Sequence, residues 1–170
     1  MDNYPWYTLV DKQGEIRQGD LIYSCHIIIP ISDIHTGSGQ KAEVQVRDAI
    51  VMSQSCDIEQ KNIDLVLVCP FVPLSDFDHE LARSARGKEK FRQGNLPGYH
   101  LLNKCDIEGF KTDFLVVDFR NLFVVPLTYL SQKTGPRIRL LPPYREHLSQ
   151  AFARFFMRVG LPVNIPKFTK

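Results

Sequence analysis

The chain has 170 residues, 44% of them hydrophobic and 24% charged, which is enough for one well-buried core and too few for two ordinary domains. No apolar run approaches the roughly 18 to 20 residues of a membrane-spanning helix, and the start, Met1-Asp2-Asn3-Tyr4-Pro5-Trp6, lacks the basic and apolar blocks of a secretion signal. A single cytoplasmic domain over residues 1–170, with net charge +2 and reduced thiols, is the expectation.

Gly19-Asp20 leads into residues 21–31, an apolar run rich in β-branched residues that stops at Pro30 and Ser32-Asp33, and this predicts the first strand. His35-Thr36-Gly37-Ser38-Gly39-Gln40 has the small residues of a loop, and residues 44–52 return as a second strand, giving a hairpin-like pair with a long tip. The apolar run then breaks into Ser53-Gln54-Ser55-Cys56-Asp57, read as a turn at a strand end. Residues 64–71 form a third, interior strand ending at Pro70. Residues 76–92 are polar, with Gly87 inside and Leu81 and Phe91 as anchors, which predicts a partly buried helical insertion outside the core. Further strands are expected over 98–102, 113–119 and 122–127.

Pro142-Pro143 precede a helix over 144–159 that Gly160 and Pro162 end. Leu148, Phe152, Phe155 and Val159, widened by Ala151 and Phe156, form an apolar stripe that should pack on the sheet, while Arg154 and Arg158 fall beside it and Arg145 and His147 lie near the helix start, so that cations line one edge. Residues 133–170 hold eight Lys/Arg against Glu146 alone, leaving thirteen Lys/Arg against eighteen Asp/Glu upstream. Such a basic segment points to an anionic partner, RNA first, or to an acidic protein surface; a solvated helix face gives the same pattern.

The Ser53–Asp57 turn carries the most chemistry. Cys56 at a strand end becomes a nucleophile if a histidine lies within hydrogen-bond reach, but His26, His79, His100 and His147 are dispersed in sequence. Asp57 as a cap of backbone N–H groups, or paired with Arg145 or Arg154, explains the same residues structurally. Cys25, Cys56, Cys69 and Cys105 show no C-x-x-C spacing, and Cys25 and Cys69 read as buried structural thiols. Cys25 and His26 are adjacent and point to opposite faces of a strand, so no metal site is expected. Gly37-Ser38-Gly39 lacks the Gly-Lys-Ser/Thr that opens a phosphate-cradling helix, so no cofactor is expected either.

Arg17-Gln18-Gly19-Asp20-Leu21, a polar loop, Arg47-Asp48-Ala49-Ile50-Val51-Met52-Ser53, and then the strand from Leu65 to Phe71 resemble the N-terminal half of the MazF/PemK family of toxin endoribonucleases. The resemblance covers roughly residues 17–72 and implies a small SH3-like barrel, here mostly β with a helical insertion and a C-terminal amphipathic helix, and a homodimer. In that family an arginine before the second long strand and a hydroxyl after the third support metal-free RNA cleavage. Arg47 matches the first position; Asp48 replaces the usual proline, and Cys69-Pro70 stand where the hydroxyl is expected. The Ser-Gln-x-Cys-Asp turn and Pro142-Pro143-Tyr144-Arg145-Glu146-His147-Leu148 also resemble a group of uncharacterised bacterial proteins, which implies that turn and helix belong to one design.

Three functions are therefore carried forward. The first is a non-catalytic MazF-like regulatory or binding module of a bacterial stress, toxin–antitoxin or antiviral defence system, binding RNA or a protein partner through Arg17, His35, Arg145, Arg154 and Arg158. The second is a metal-independent endoribonuclease using Arg47, with His35 as a base. The third is a cysteine-dependent enzyme using Cys56, with Ser53 and Asp57 beside it.

Overall fold

The computed structural model describes residues 4–30, 42–77, 80–133 and 135–157, with Pro30 and Leu81 by their backbone alone. His35, Arg158, His79, Val159 and the loop over 35–40 lie outside the described residues. Along the chain run β1 (Tyr7–Val10), β2 (Leu21–Pro30), β3 (Ala42–Val51), α1 (Ser55–Glu59), β4 (Leu65–Pro73), α2 (Glu80–Arg83), α3 (Ala85–Arg92), β5 (Tyr99–Leu102), β6 (Leu115–Asp118), β7 (Phe123–Pro126), α4 (Leu127–Gln132), β8 (Arg137–Leu140) and α5 (Tyr144–Phe156). The fold is mostly β, and every strand pair is antiparallel. One sheet has the order β2-β3-β4-β6-β5, with β7 beside β6 on the same edge of β4, and β1 and β8 form a second.

These sheets do not close into a barrel, which corrects the SH3-like expectation in its stricter form. Closure needs a strand on the outer edge of β2, and α4 lies there instead. The His26 N–H donates to the Tyr129 hydroxyl (2.8 Å), and Lys133 Nζ donates to the Ser24 carbonyl. The second sheet meets the first by a single bridge, Asp20 opposite Arg139. Within β2 a bulge between Ile22 and Cys25 puts Ser24 at φ 52° and lets Asp48 Oδ1 accept its N–H (2.7 Å). That extra residue keeps both Ile22 and Cys25 on the buried face.

The sheet is covered on both faces where its strands are continuously apolar, at Ala49-Ile50-Val51 of β3 and along β4, whereas the first seven residues of β3 are exposed or half-buried. On one face Leu21, Ile50, Cys69, Phe71, Val117 and Phe119 pack with Leu148, Phe152 and Phe155 of α5. On the other Ile22, Cys25, Ile27, Ala49, Val51, Val66 and Val68 pack with Leu130 of α4. The insertion has a larger role than its composition suggests: Ala82 of α2 and Phe91 of α3 are buried with Tyr99 and Val116 in a third cluster. Of the turn expected at 53–57, Ser55, Cys56 and Asp57 are instead the first residues of α1, and β4 runs three residues past Pro70.

The lead-in to β2 is the most heavily bonded segment. Gly19 takes φ +84°, and a Cβ there would sit 3.2 Å from both the Cβ and the carbonyl of Leu140. Its carbonyl accepts the Leu140 N–H at 2.9 Å, so glycine is required by backbone angle and by close approach. Asp20, with no exposed surface, accepts from Arg137 Nε (2.6 Å), Arg139 Nε and Arg139 Nη2 (3.0 Å). Arg137 Nη2 donates onward to the carbonyls of Gly14 and Glu15. Removing the carboxylate leaves Arg137, only 4% exposed, without its counterion. Asp20→Ala is therefore expected to lose about 3–5 kcal/mol in urea unfolding followed by circular dichroism.

Candidate functional site

β3 delivers the chain into the Ser53–Asp57 segment, and both serines there are committed to backbone. Ser53 Oγ accepts the Leu67 N–H (2.8 Å), and Ser55 Oγ accepts the Gln18 N–H (3.1 Å). Gln18 is itself buried and donates to the Met52 carbonyl (2.8 Å). The segment thus staples the lead-in to β3 and β4. Asp57 is half-buried and lines a groove of about 360 Å³ with Ser53, Gln54, Ser149, Phe152 and Ala153, so turn and C-terminal helix do meet. The expected pairing of Asp57 with Arg145 or Arg154 is not made; Arg145 binds Glu146 instead (2.6 Å).

Cys56 is exposed on α1, and the described histidines are engaged elsewhere: His26 with Tyr129, and His100 and His147 in a groove beside α5. The other thiols are interior. Burial, and behind it the Asp118 carboxylate, pushes the Cys69 thiol up to about 12, and burial also raises Cys25. Arg17 reaches Glu59 of α1 at 2.8 Å and Glu15 at 3.4 Å, so it tethers the lead-in rather than standing ready for a ligand.

Arg47 lies apart from the turn. Six residues of strand separate it from Ser53, about 20 Å at the usual rise. The candidate catalytic residues of the two enzyme readings are therefore apart, with Arg47 in one groove, Ser53 and Asp57 in another, and Cys56 at the surface. Arg47 is exposed, and its Nε and Nη2 donate to Gln45 Oε1 (3.3 and 3.0 Å). Its groove, about 590 Å³, also holds Asp48, Asp76, Asp118 and Asn121 over a floor of Val72, Phe77, Val116 and Phe123. Asp118 accepts from Arg120 (3.1 Å) and Asn121 (2.8 Å), and Asp48 is held by Ser24.

This cleft exists because two strands part. The β3–β4 ladder ends at Ala49 opposite Pro70, while β3 continues with β2 alone to Ala42. The Val51 N–H donates to the Asp20 carbonyl (2.9 Å), so by alternation Asp48, Val46 and Val44 turn their backbone N–H and C=O away from β2, toward the cleft. On the facing wall, Pro73 C=O is already used by the Asp76 N–H (3.0 Å). Val44 and Val46 are 57% and 56% exposed, and Ile28 beside them 64%.

A third groove, about 570 Å³, runs between α5, β5 and the end of α3. It is lined by His100, His147, Gln150 and Arg154, with Pro97 and Tyr99, and among the described residues no carboxylate lines it. Of these, Arg154 is a binding residue expected from the sequence, and His147 is one of the cations expected along this helix. His147, Gln150, Ala151 and Arg154 fall at i, i+3, i+4 and i+7, a second stripe interleaved with the apolar one, and that spacing was the available signal. Burial, reinforced by His147, lowers His100 from the usual 6.5 to about 4, and its ring stacks on Phe119.

No family model matches the chain, and no match is found among the curated proteins. No helix among the described residues is long and apolar enough to cross a membrane.

Two outcomes follow from this geometry. Ser53→Ala leaves the Leu67 N–H without its acceptor and is expected to cost about 1–3 kcal/mol in urea unfolding, with no new pocket formed. His100 is neutral when folded, whereas the unfolded chain takes up its proton near the usual 6.5. Its contribution is complete above that value and is lost as pH falls from 6.5 toward about 4. Unfolding series across this window should show a shallower decline for His100→Phe than for the wild type.

Proposed function

We propose that this protein is a non-catalytic binding module whose partner is an extended segment of another protein, added as a strand to the free edge of β3 in the Arg47 cleft. The open edge itself carries this reading: Asp48, Val46 and Val44 offer backbone groups unpaired among the described residues along a groove floored by apolar side chains. In strand addition, main-chain hydrogen bonds supply affinity and alternate side chains select sequence. Arg47 at the rim suits an acidic residue of such a segment, and Asp76 a basic one.

The resemblance to MazF/PemK proteins in the succession β2, β3, β4 supports a bacterial stress, toxin–antitoxin or defence setting and a homodimer. It also supports viewing the main sheet as an opened relative of an SH3-like barrel. RNA is the less favoured partner for this cleft, because three carboxylates share it with one arginine. A ribonuclease reading needs a proton-transfer partner for Arg47, and the bond its guanidinium makes is to the Gln45 amide.

The test pairs catalysis with binding. Mixed-sequence RNA without metal is expected to survive both wild type and Arg47→Ala; cleavage that depends on Arg47 would make the protein a MazF-type ribonuclease instead. Peptides selected from a displayed library on the wild type are expected to lose about tenfold or more in affinity for Val46→Pro. That substitution deletes an N–H facing the cleft and leaves the ladder to β2 intact.

A further inference from the structure

We propose that the groove between α5 and β5 binds a phosphate monoester carrying a ring-sized body, of the nucleoside monophosphate class. The cationic end is built by helix geometry, with His147, Gln150 and Arg154 presented along one face and the small Ala151 between them leaving room. Arg154 makes no ion pair among the described residues, unlike Arg145, which is spent on Glu146. A planar guanidinium with two forward N–H groups matches phosphate oxygens, and an amide and an imidazole beside it add donors. Among the described residues no carboxylate lines the groove, in contrast to the three in the Arg47 cleft, and Glu146 beside His147 is paired with Arg145.

The groove is larger than an anion alone needs: about 570 Å³ lies within the range that small-molecule sites occupy, far more than a bare phosphate fills, with Pro97 and the backbone of β5 at Tyr99 on its wall while the Tyr99 ring turns into the third cluster. His100, on the face of β5 opposite to Tyr99, adds a neutral imidazole able to donate or accept one hydrogen bond to a sugar or ring substituent. A metal ion is the poorer occupant, since no group of three or more His, Cys, Asp or Glu suited to one exists among the described residues.

The probes are AMP, inorganic phosphate and adenosine, titrated into the full chain while the imidazole C–H resonances of His100 and His147 are followed by NMR. AMP is expected to move both resonances saturably, with phosphate weaker and adenosine weaker still. Arg154→Ala and His147→Ala are each expected to weaken AMP by about tenfold, as loss of one charge-assisted contact does, and Arg154→Lys to restore part of it. Arg47→Ala and Val46→Pro should bind AMP as the wild type does, which separates this site from the peptide cleft. The proposal fails if AMP leaves both resonances unmoved, if Arg154→Ala binds as tightly as wild type, or if adenosine equals AMP. Equal binding of phosphate and AMP would overturn the ring-sized part of the proposal.

Discussion

A single buried carboxylate organises this molecule. Asp20 faces two guanidinium groups from β8 and also accepts the Arg17 N–H (3.2 Å), so the lead-in to β2 is bound to a strand more than a hundred residues away. Burying such ions costs several kcal/mol each, and the arrangement holds only because nearly every donor and acceptor in it is matched. One excess positive charge remains, and Arg137 Nη1 is left without a partner. The cluster therefore serves to specify which strands meet as much as to add stability.

Its geometry propagates. With β8 fixed against the lead-in, Pro142-Pro143 direct the chain into α5, whose first turn is held by the stack of Tyr144 on Trp6 at 3.6 Å and by the Leu141 N–H donating to the Trp6 carbonyl. α5 then forms a wall of two grooves, one by the Ser53–Asp57 segment and one by β5. The Arg47 cleft has a separate origin in unequal strand lengths, since β3 outruns its ladder with β4. Two different constraints thus yield surfaces of opposite electrical character on one small fold.

The long elements were legible in the sequence because they obey strong local rules. β2, β3, β4 and α5 show apolar runs or stripes bounded by Pro, Gly and polar turns, and the buried Cys25 and Cys69 follow from their places in those runs. The four-residue β1 and β8 escaped, because Arg137-Ile138-Arg139-Leu140 looks like part of a basic tail until Asp20 is seen opposite it. α1 escaped because Ser53 and Ser55 hold distant backbone groups, Leu67 and Gln18, that no local window contains. The site residues fared similarly: Arg47 was found, but its separation from Ser53 and the convergence of His100 with His147 depend on strand register and helix placement. Barrel closure was expected from a motif of three strands and is prevented by a helix, α4, that lies far outside that motif.

The cover that α4 places on β2 bears on how the protein behaves at high concentration. A terminal strand ten residues long is ordinarily a template on which another chain can polymerise. Here Ser24 and His26 are capped from α4, and Pro30 carries no donor. Among the described residues of that margin the rung at Ile28 stays open between two blocked ones, too little for a stable intermolecular ladder. The fold has a guarded outer rim and an accessible inner slot, so self-association is opposed along β2, and the partner strand we propose would be confined to the slot beside β3.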